Sequence, residues 1–164
     1  MRPFEDARLK EIEAVYRSRF PYFVQVATAI VGERELALEA VQDAFAEAVR
    51  GRRGFRGDGP LEAWIWRAVV NAASNVRRHA VAAKQHADVA AARSNGYELR
   101  EGSELGAQIA LLPDRQKLAL FLRYYADLDY RSIAAALGIE VGTVSATLSA
   151  AHASLRRALG KVER

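Results

Sequence analysis

The chain of 164 residues contains no cysteine, which excludes disulfides and thiolate metal sites and removes any sign of an oxidising compartment. It has no uninterrupted apolar run near the roughly 20 residues needed to cross a bilayer. Met1 to Lys10 is charged and lacks the apolar centre of a signal peptide. A cytoplasmic protein with no membrane partner is expected. Runs of Val, Ile and Thr that would make strands are scarce. Catalytic groupings are missing as well. His79, His86 and His152 lack metal-ligand spacing with carboxylates and read as surface residues; no glycine loop ends in Lys-Ser or Lys-Thr, and no serine stands in a nucleophile elbow. Asp127 and Asp129 lie near a helix start, where capping explains them better than acid–base work. The expectation is therefore no enzyme, no cofactor and no metal.

What is present favours helix. Hydrophobic residues make up 51% of the chain, much of it alanine, so an all-α protein is expected. The length suits one ordinary domain or two small helical ones. The net charge is +4 and the pI near 9.6, which suits a partner carrying phosphates.

Apolar residues recur at helical spacing in two groups of segments. In the first group, Ile12, Val15, Tyr16 and Phe20 form one amphipathic run. Pro21 then suits the opening turn of a second, with Tyr22, Phe23, Val26, Ala27 and Ile30, which Gly32 ends. A third stripe uses Leu36, Ala37, Ala40, Val41, Ala44, Phe45, Ala48 and Val49. It stops at Gly51-Arg-Arg-Gly-Phe-Arg-Gly-Asp-Gly59, where four glycines in nine residues argue for a loop. Pro60 opens a fourth helix with the stripe Leu61, Trp64, Ile65, Ala68, Val69, Ala72, Ala73 and Val76, closing with Arg77, Arg78 and His79, where cations suit the helix dipole.

From Ala80 to about Leu105 the pattern is lost, and Ser94-Asn95-Gly96 marks a linker, partly helical or irregular, between two domains. The second group begins at Leu111-Leu112-Pro113-Asp114. Leu118, Phe121, Leu122 and Tyr125 give one helix its apolar face. Asp129 caps a short helix with Ile133, Ala134 and Leu137, and Gly138 supplies a left-handed exit. A last helix runs from about Val141 to Leu159. The stretch Tyr130 to Ala150 has the layout of a helix-turn-helix, with Ala134 small where the helices cross. An ordinary helical hairpin would give the same pattern.

The loop from Arg50 to Pro60 gathers Arg50, Arg52, Arg53 and Arg56 around Phe55, directly before two tryptophans. Arginine neutralises phosphate while a ring stacks on an unpaired base, so this composition points to single-stranded nucleic acid. Trp64 and Trp66, two positions apart on a helix, cannot point the same way. Trp64 is expected to be the mostly buried one.

Three stretches together resemble the extracytoplasmic-function sigma factors of RNA polymerase, over nearly the whole chain. Glu39-Ala-Val-Gln-Asp-Ala-Phe45 is similar to the family's region-two helix ending in Val-Gln-Glu-x-Phe. Gly59-Pro-Leu-Glu-Ala-Trp-Ile-Trp-Arg-Ala-Val-Val-Asn71, with Arg77-Arg78, resembles its Trp-Leu-x-x-Ile-Ala-x-Asn signature. Leu112-Pro113, Tyr130-Arg-Ser-Ile-Ala-Ala-Ala-Leu-Gly138 and Gly142-Thr-Val144 look like region four. The resemblance implies a region-two domain over 1–80, a linker over 81–105 that threads toward the polymerase channels, and a region-four domain over 106–164.

It further implies that RNA polymerase core and promoter DNA are the partners, and it leaves an anti-sigma protein open as a third. Glu35, Glu39, Gln42 and Asp43 would dock on the polymerase clamp, with Phe45 packed inside. Arg52, Arg53, Phe55, Arg56, Trp66, Arg67, Asn71, Arg77 and Arg78 would bind the minus-ten element, although Asn71 could equally be a structural hydrogen-bonding residue. Arg131, Thr143, Ser145, Ala146, Ser149 and Arg156 would face upstream DNA. The chain also departs from the family. Where relatives carry Asp-Ala-Glu-Asp, it reads Leu36-Ala37-Leu38-Glu39, so three carboxylates become one. Where relatives place basic residues, it reads Ser145 to His152, and Glu140 replaces a serine-like cap. Positive charge returns at Arg156, Arg157 and Lys161. These departures keep two alternatives alive: a regulator that binds DNA without core polymerase, and a C-terminal helix used for protein rather than upstream DNA contacts.

Overall fold

The computed structural model describes residues 3–86 and 103–160. Most of the linker, including Ser94-Asn95-Gly96, and Lys161 lie outside the described residues. Among the described residues the chain is helical throughout, in the order α1 (Pro3–Val31), α2 (Arg34–Gly51), a single 3-10 turn (Arg52–Gly54), α3 (Leu61–His86), α4 (Glu104–Ala110), α5 (Asp114–Tyr124), α6 (Tyr130–Leu137) and α7 (Val141–Leu159).

Helices α1, α2 and α3 form the N-terminal unit, each packing on the other two. The small side chains of α2, Ala37, Ala40, Ala44 and Ala48, are buried one helical turn apart, which lets its neighbours approach closely. The space beside them is filled by Ile12, Phe23, Val26, Val41, Phe45, Ile65, Trp66 and Val69, all buried. Each such side chain contributes on the order of 1.5–3 kcal/mol by leaving water. Phe45 does pack inside, edge-on to Tyr16 at 4.8 Å and to Phe23 at 5.1 Å.

The structure changes the sequence reading in three places. The two expected N-terminal helices are one, with exposed Pro21 inside α1. An internal proline costs about 3 kcal/mol, and the continuous stripe from Ile12 to Ala27, buried against α2 and α3, offsets it. Helix α3 runs to His86, past the expected end at His79, and a short helix α4 precedes Pro113. The glycine-rich loop is not wholly irregular, since its first residues close a 3-10 turn.

The C-terminal unit is built on Leu120, Phe121, Leu122, Leu128, Ile133, Val144, Leu148, Ala151 and Leu155. Lys117 is also buried. Its Nζ donates to the Ala110 carbonyl at 3.0 Å and lies 3.4 Å from Asp114, so a charge that the apolar pattern passes over ties α4 to α5. Helices α6 and α7 meet at 100°, the geometry of a helix-turn-helix. Gly138 between them has φ of 66°, a conformation that costs glycine little. Asp127, at φ 53°, makes the other left-handed turn, and aspartate tolerates it better than most residues.

Asp129 caps α6, its carboxylate accepting from the Ser132 amide at 2.7 Å. That backbone hydrogen bond is the main cause holding its carboxyl below the ordinary 3.8. A carboxyl lowered on folding stabilises fully above its unfolded value and progressively less as pH falls through the folded one. Replacing Asp129 by alanine is expected to cost about 1 kcal/mol at pH 7 in urea unfolding, and the gap between variant and parent should narrow below about pH 4.

No single helix among the described residues is long and apolar enough to cross a membrane. The one bent pair that passes by length and composition is α6 with α7, whose apolar side chains form the C-terminal core. The two units also touch each other, α6 along α3 and α5 against α1. Arg77 of α3 reaches Asp114 at the start of α5, at 2.7 Å. Burial alone would raise Asp114, but the Arg77 hydrogen bond and charge, with Lys117, outweigh it and hold the carboxyl below its ordinary value.

Candidate nucleic-acid interface

The turn after α2 brings three elements together. Arg52 folds back so that its guanidinium donates to the Val49 carbonyl at 2.7 Å, satisfying the end of α2. Arg52 is therefore engaged in holding the loop's own start. Arg53 and Arg56 are exposed, and Phe55 is half-buried. The Phe55 ring lies 5.5 Å from the Trp64 ring. Gly54, Phe55, Arg56, Asp58, Trp64 and Arg67 line a cavity of about 280 Å³. Ala135 of α6 lines it too, so the C-terminal unit forms part of its wall.

Of the two tryptophans, Trp66 is the more deeply buried. Trp66 is fully buried, packed on Phe23 at 4.2 Å with the rings tilted at 43° and its indole N–H directed to Glu62 at 3.4 Å. It cannot meet a base there, and its expected place on the DNA path is corrected. Trp64, expected to be mostly buried, is partly buried against the core and supports Phe55. The cause is the stripe: Ile65, Trp66, Val69 and Ala73 carry the face turned to α1 and α2, one position around from the face read in the sequence.

Beyond Trp64, exposed Arg67 and Asn71 line a longer cleft of about 670 Å³ between α2 and α3, which Asp43, Glu47, Asn75 and His79 share. Arg78 is exposed and hydrogen-bonds Asn75. Arg77 is held by Asp114 in this arrangement. Apart from Arg53, which is exposed in the 3-10 turn, the expected minus-ten residues fall into three sets. Phe55, Arg56 and Arg67 meet at one cavity; Asn71 and Arg78 lie further along α3; Arg52, Trp66 and Arg77 are engaged with the protein itself.

On α2, Glu35, Glu39, Gln42 and Asp43 are all exposed. They lie opposite the buried alanines, as a helix with one apolar stripe requires. On α7, Thr143, Ser145, Ala146 and Ser149 are exposed, as are Arg156 and, on α6, Arg131. Glu140 precedes α7 and makes no side-chain cap. The outer face of α7 is therefore uncharged from Val141 to Ala153. His152 is not an isolated surface residue, since its ring nitrogen and the Tyr124 hydroxyl are 2.9 Å apart. Among the described residues no three His, Cys, Asp or Glu side chains could hold a metal ion.

Residues 15–82 match the Sigma-70 region 2 family, and residues 103–159 match Sigma-70, region 4. The chain is 30% identical over 149 residues to the RNA polymerase sigma-H factor of Pseudomonas aeruginosa, spanning 79% of this chain and 76% of that protein. It is 29% identical over 134 residues to the ECF RNA polymerase sigma-E factor of Escherichia coli, spanning 71% and 70%. In fold it resembles the sigma factor RpoE solved with the anti-sigma factor NepR from Bartonella quintana. That match has a TM-score of 0.72 at 21% identity and covers 94% of this chain and 99% of the other. CnrH, solved with the cytosolic domain of CnrY, matches at a TM-score of 0.67 and 19% identity, covering 93% and 90%.

Proposed function

The chain belongs to the sigma-70 family as an extracytoplasmic-function sigma factor that binds RNA polymerase core and recognises promoters, and from this premise we propose that it melts promoter DNA by trapping one unstacked base beside Phe55. The observation that carries this reading is the cavity of Phe55, Arg56, Trp64 and Arg67, where rings and cations converge. Extruding a base costs a few kcal/mol, and stacking the freed base while cations hold its backbone offsets that cost. No nucleotide hydrolysis is needed. The chain then works by binding, in the cytoplasm, and has no catalytic role of its own.

In this reading residues 1–80 bind the clamp and the minus-ten element, 81–105 connect, and 106–164 form the region-four unit. Ala135 walls the cavity in the compact arrangement, so entry of a strand requires α6 to leave α3. The half-exposed Arg77–Asp114 pair is a weak hold, on the order of 1 kcal/mol or less, and separating it returns Arg77 to the DNA path. Arg131, Thr143, Ser145, Ala146, Ser149 and Arg156 face upstream DNA. With its outer face uncharged from Val141 to Ala153 and cations only at Arg156 and Arg157, α7 adds little phosphate binding, so the cations of α3 and its preceding loop dominate affinity.

Glu35, Glu39, Gln42 and Asp43 anchor α2 to the polymerase. Charge reversal by Glu39→Lys with Asp43→Lys is expected to weaken core binding about tenfold in a fluorescence titration, with helicity unchanged because both side chains are exposed. Unchanged affinity would remove α2 as the anchor. An anti-sigma protein is the further partner this reading allows, and one bound here competes with core in the same titration.

A further inference from the structure

Building on the base-capture reading above, we infer that Arg8, near the start of α1, is a positioning residue of the single-strand site, holding the Phe55 ring against Trp64. The Arg8 guanidinium carbon lies 4.8 Å from the Phe55 ring centroid, within the range of roughly 6 Å over which a cation is attracted to a ring face. The Trp64 ring stands 5.5 Å from the same ring, tilted at 51°. Phe55 therefore meets both a cation from α1 and an indole from α3, and three elements distant in sequence come together at one side chain.

The loop needs such a fixture. A Cβ placed on Gly51, Gly54, Gly57 or Gly59 would meet nothing within 4 Å, and Gly57 has φ of 79°. The loop's backbone is thus unpacked at four points. Arg52 secures its beginning, and Phe55 secures its middle. Fixing a residue's backbone costs conformational entropy. A ring already seated in the free protein spares the complex that cost when a base arrives. Arg8 is itself oriented by Glu11, one turn along α1, at 2.8 Å. That pair is partly exposed and does not compete strongly with the ring.

The test uses the full chain with core polymerase and a fluorescein-labelled single-stranded DNA, its sequence first selected by the parent holoenzyme from a random pool. Arg8→Ala is expected to weaken binding about fivefold, with core affinity unchanged and with the same slope of log K against log salt. Arg8→Lys, which keeps a cation over the ring, should bind within about twofold of the parent, and so should Glu11→Ala. Combining Arg8→Ala with Phe55→Ala should cost no more than Phe55→Ala alone, because Arg8 acts through that ring.

Three results would overturn the inference. One is parent-like binding by Arg8→Ala. Another is a salt slope lowered by about 0.7, which would make Arg8 a phosphate contact. The third is a parallel loss of core affinity, which would make it merely structural. Phe55→Ala separates the two levels of argument: if it binds DNA like the parent, base capture itself fails, whereas a loss there without one in Arg8→Ala removes Arg8 alone.

Discussion

Replacing Phe55 by alanine is expected to lower open-complex formation on intact promoter DNA about thirtyfold while leaving core binding unchanged. Stacking of a base on an aromatic side chain is worth about 1–3 kcal/mol, and a loss near the middle of that range, about 2 kcal/mol, is roughly thirtyfold. The ring is half-buried against Trp64 rather than enclosed, so its removal leaves the three-helix core in place. A promoter selected by the parent holoenzyme from a random library supplies the template for run-off transcription. A second template carries the same sequence with the minus-ten segment mismatched. There the base is already unpaired, so at saturating holoenzyme the variant should recover to within about threefold of the parent. Phe55→Trp should retain most activity on both templates, since a stacking face remains. An equal loss on intact and mismatched templates would mean that Phe55 acts after melting, and the base-capture reading would be withdrawn.

The helical fold was legible because its signals are local. Asp129 and Gly138 mark both ends of α6 by side-chain chemistry and backbone freedom, and both sit where the sequence places them. The stripe of α2 is equally plain, since its buried positions fall at spacings of three and four between polar ones. Pro21 misled for the opposite reason: a local breaker was overridden by long-range burial that no window around it contains. Helix α3 continues past His79 although its apolar face fades and Val81 stays exposed, so the stripe alone did not mark its end.

The candidate site divides in the same way. Its cations and its loop could be read from composition, since four glycines and a cluster of arginines stand together in sequence. Which of them are available could not, because availability depends on partners distant in sequence. Arg77 meets Asp114 across the two units, and Arg8 reaches Phe55 from the first helix. Ala135 enters the cavity from the helix-turn-helix. Buried Lys117 was missed because a lone lysine within an apolar stripe carries no signal for the carbonyl that it satisfies.

The two tryptophans of α3 offer the sharpest separation of stability from function. Trp66→Ala should cost about 3–5 kcal/mol, as expected for an aromatic side chain removed from a packed core. With a change of about 2–4 °C per kcal/mol for a chain of this size, the melting temperature should fall by roughly 6–20 °C. Its ring is fully enclosed and rests on Phe23, so relaxation cannot fill the space and DNA binding fails only as the fold fails. Trp64→Ala should behave in the opposite way. The side chain is only partly buried, so the melting temperature should move by no more than about 4 °C. Single-strand affinity should nevertheless fall several-fold, because Phe55 loses the surface it rests on. Thermal unfolding and anisotropy titration of both variants, measured below the lower melting temperature, give four numbers. If Trp64→Ala proves the more destabilising, the assignment of inner and outer faces to α3 is reversed, and with it the placement of the DNA-binding loop.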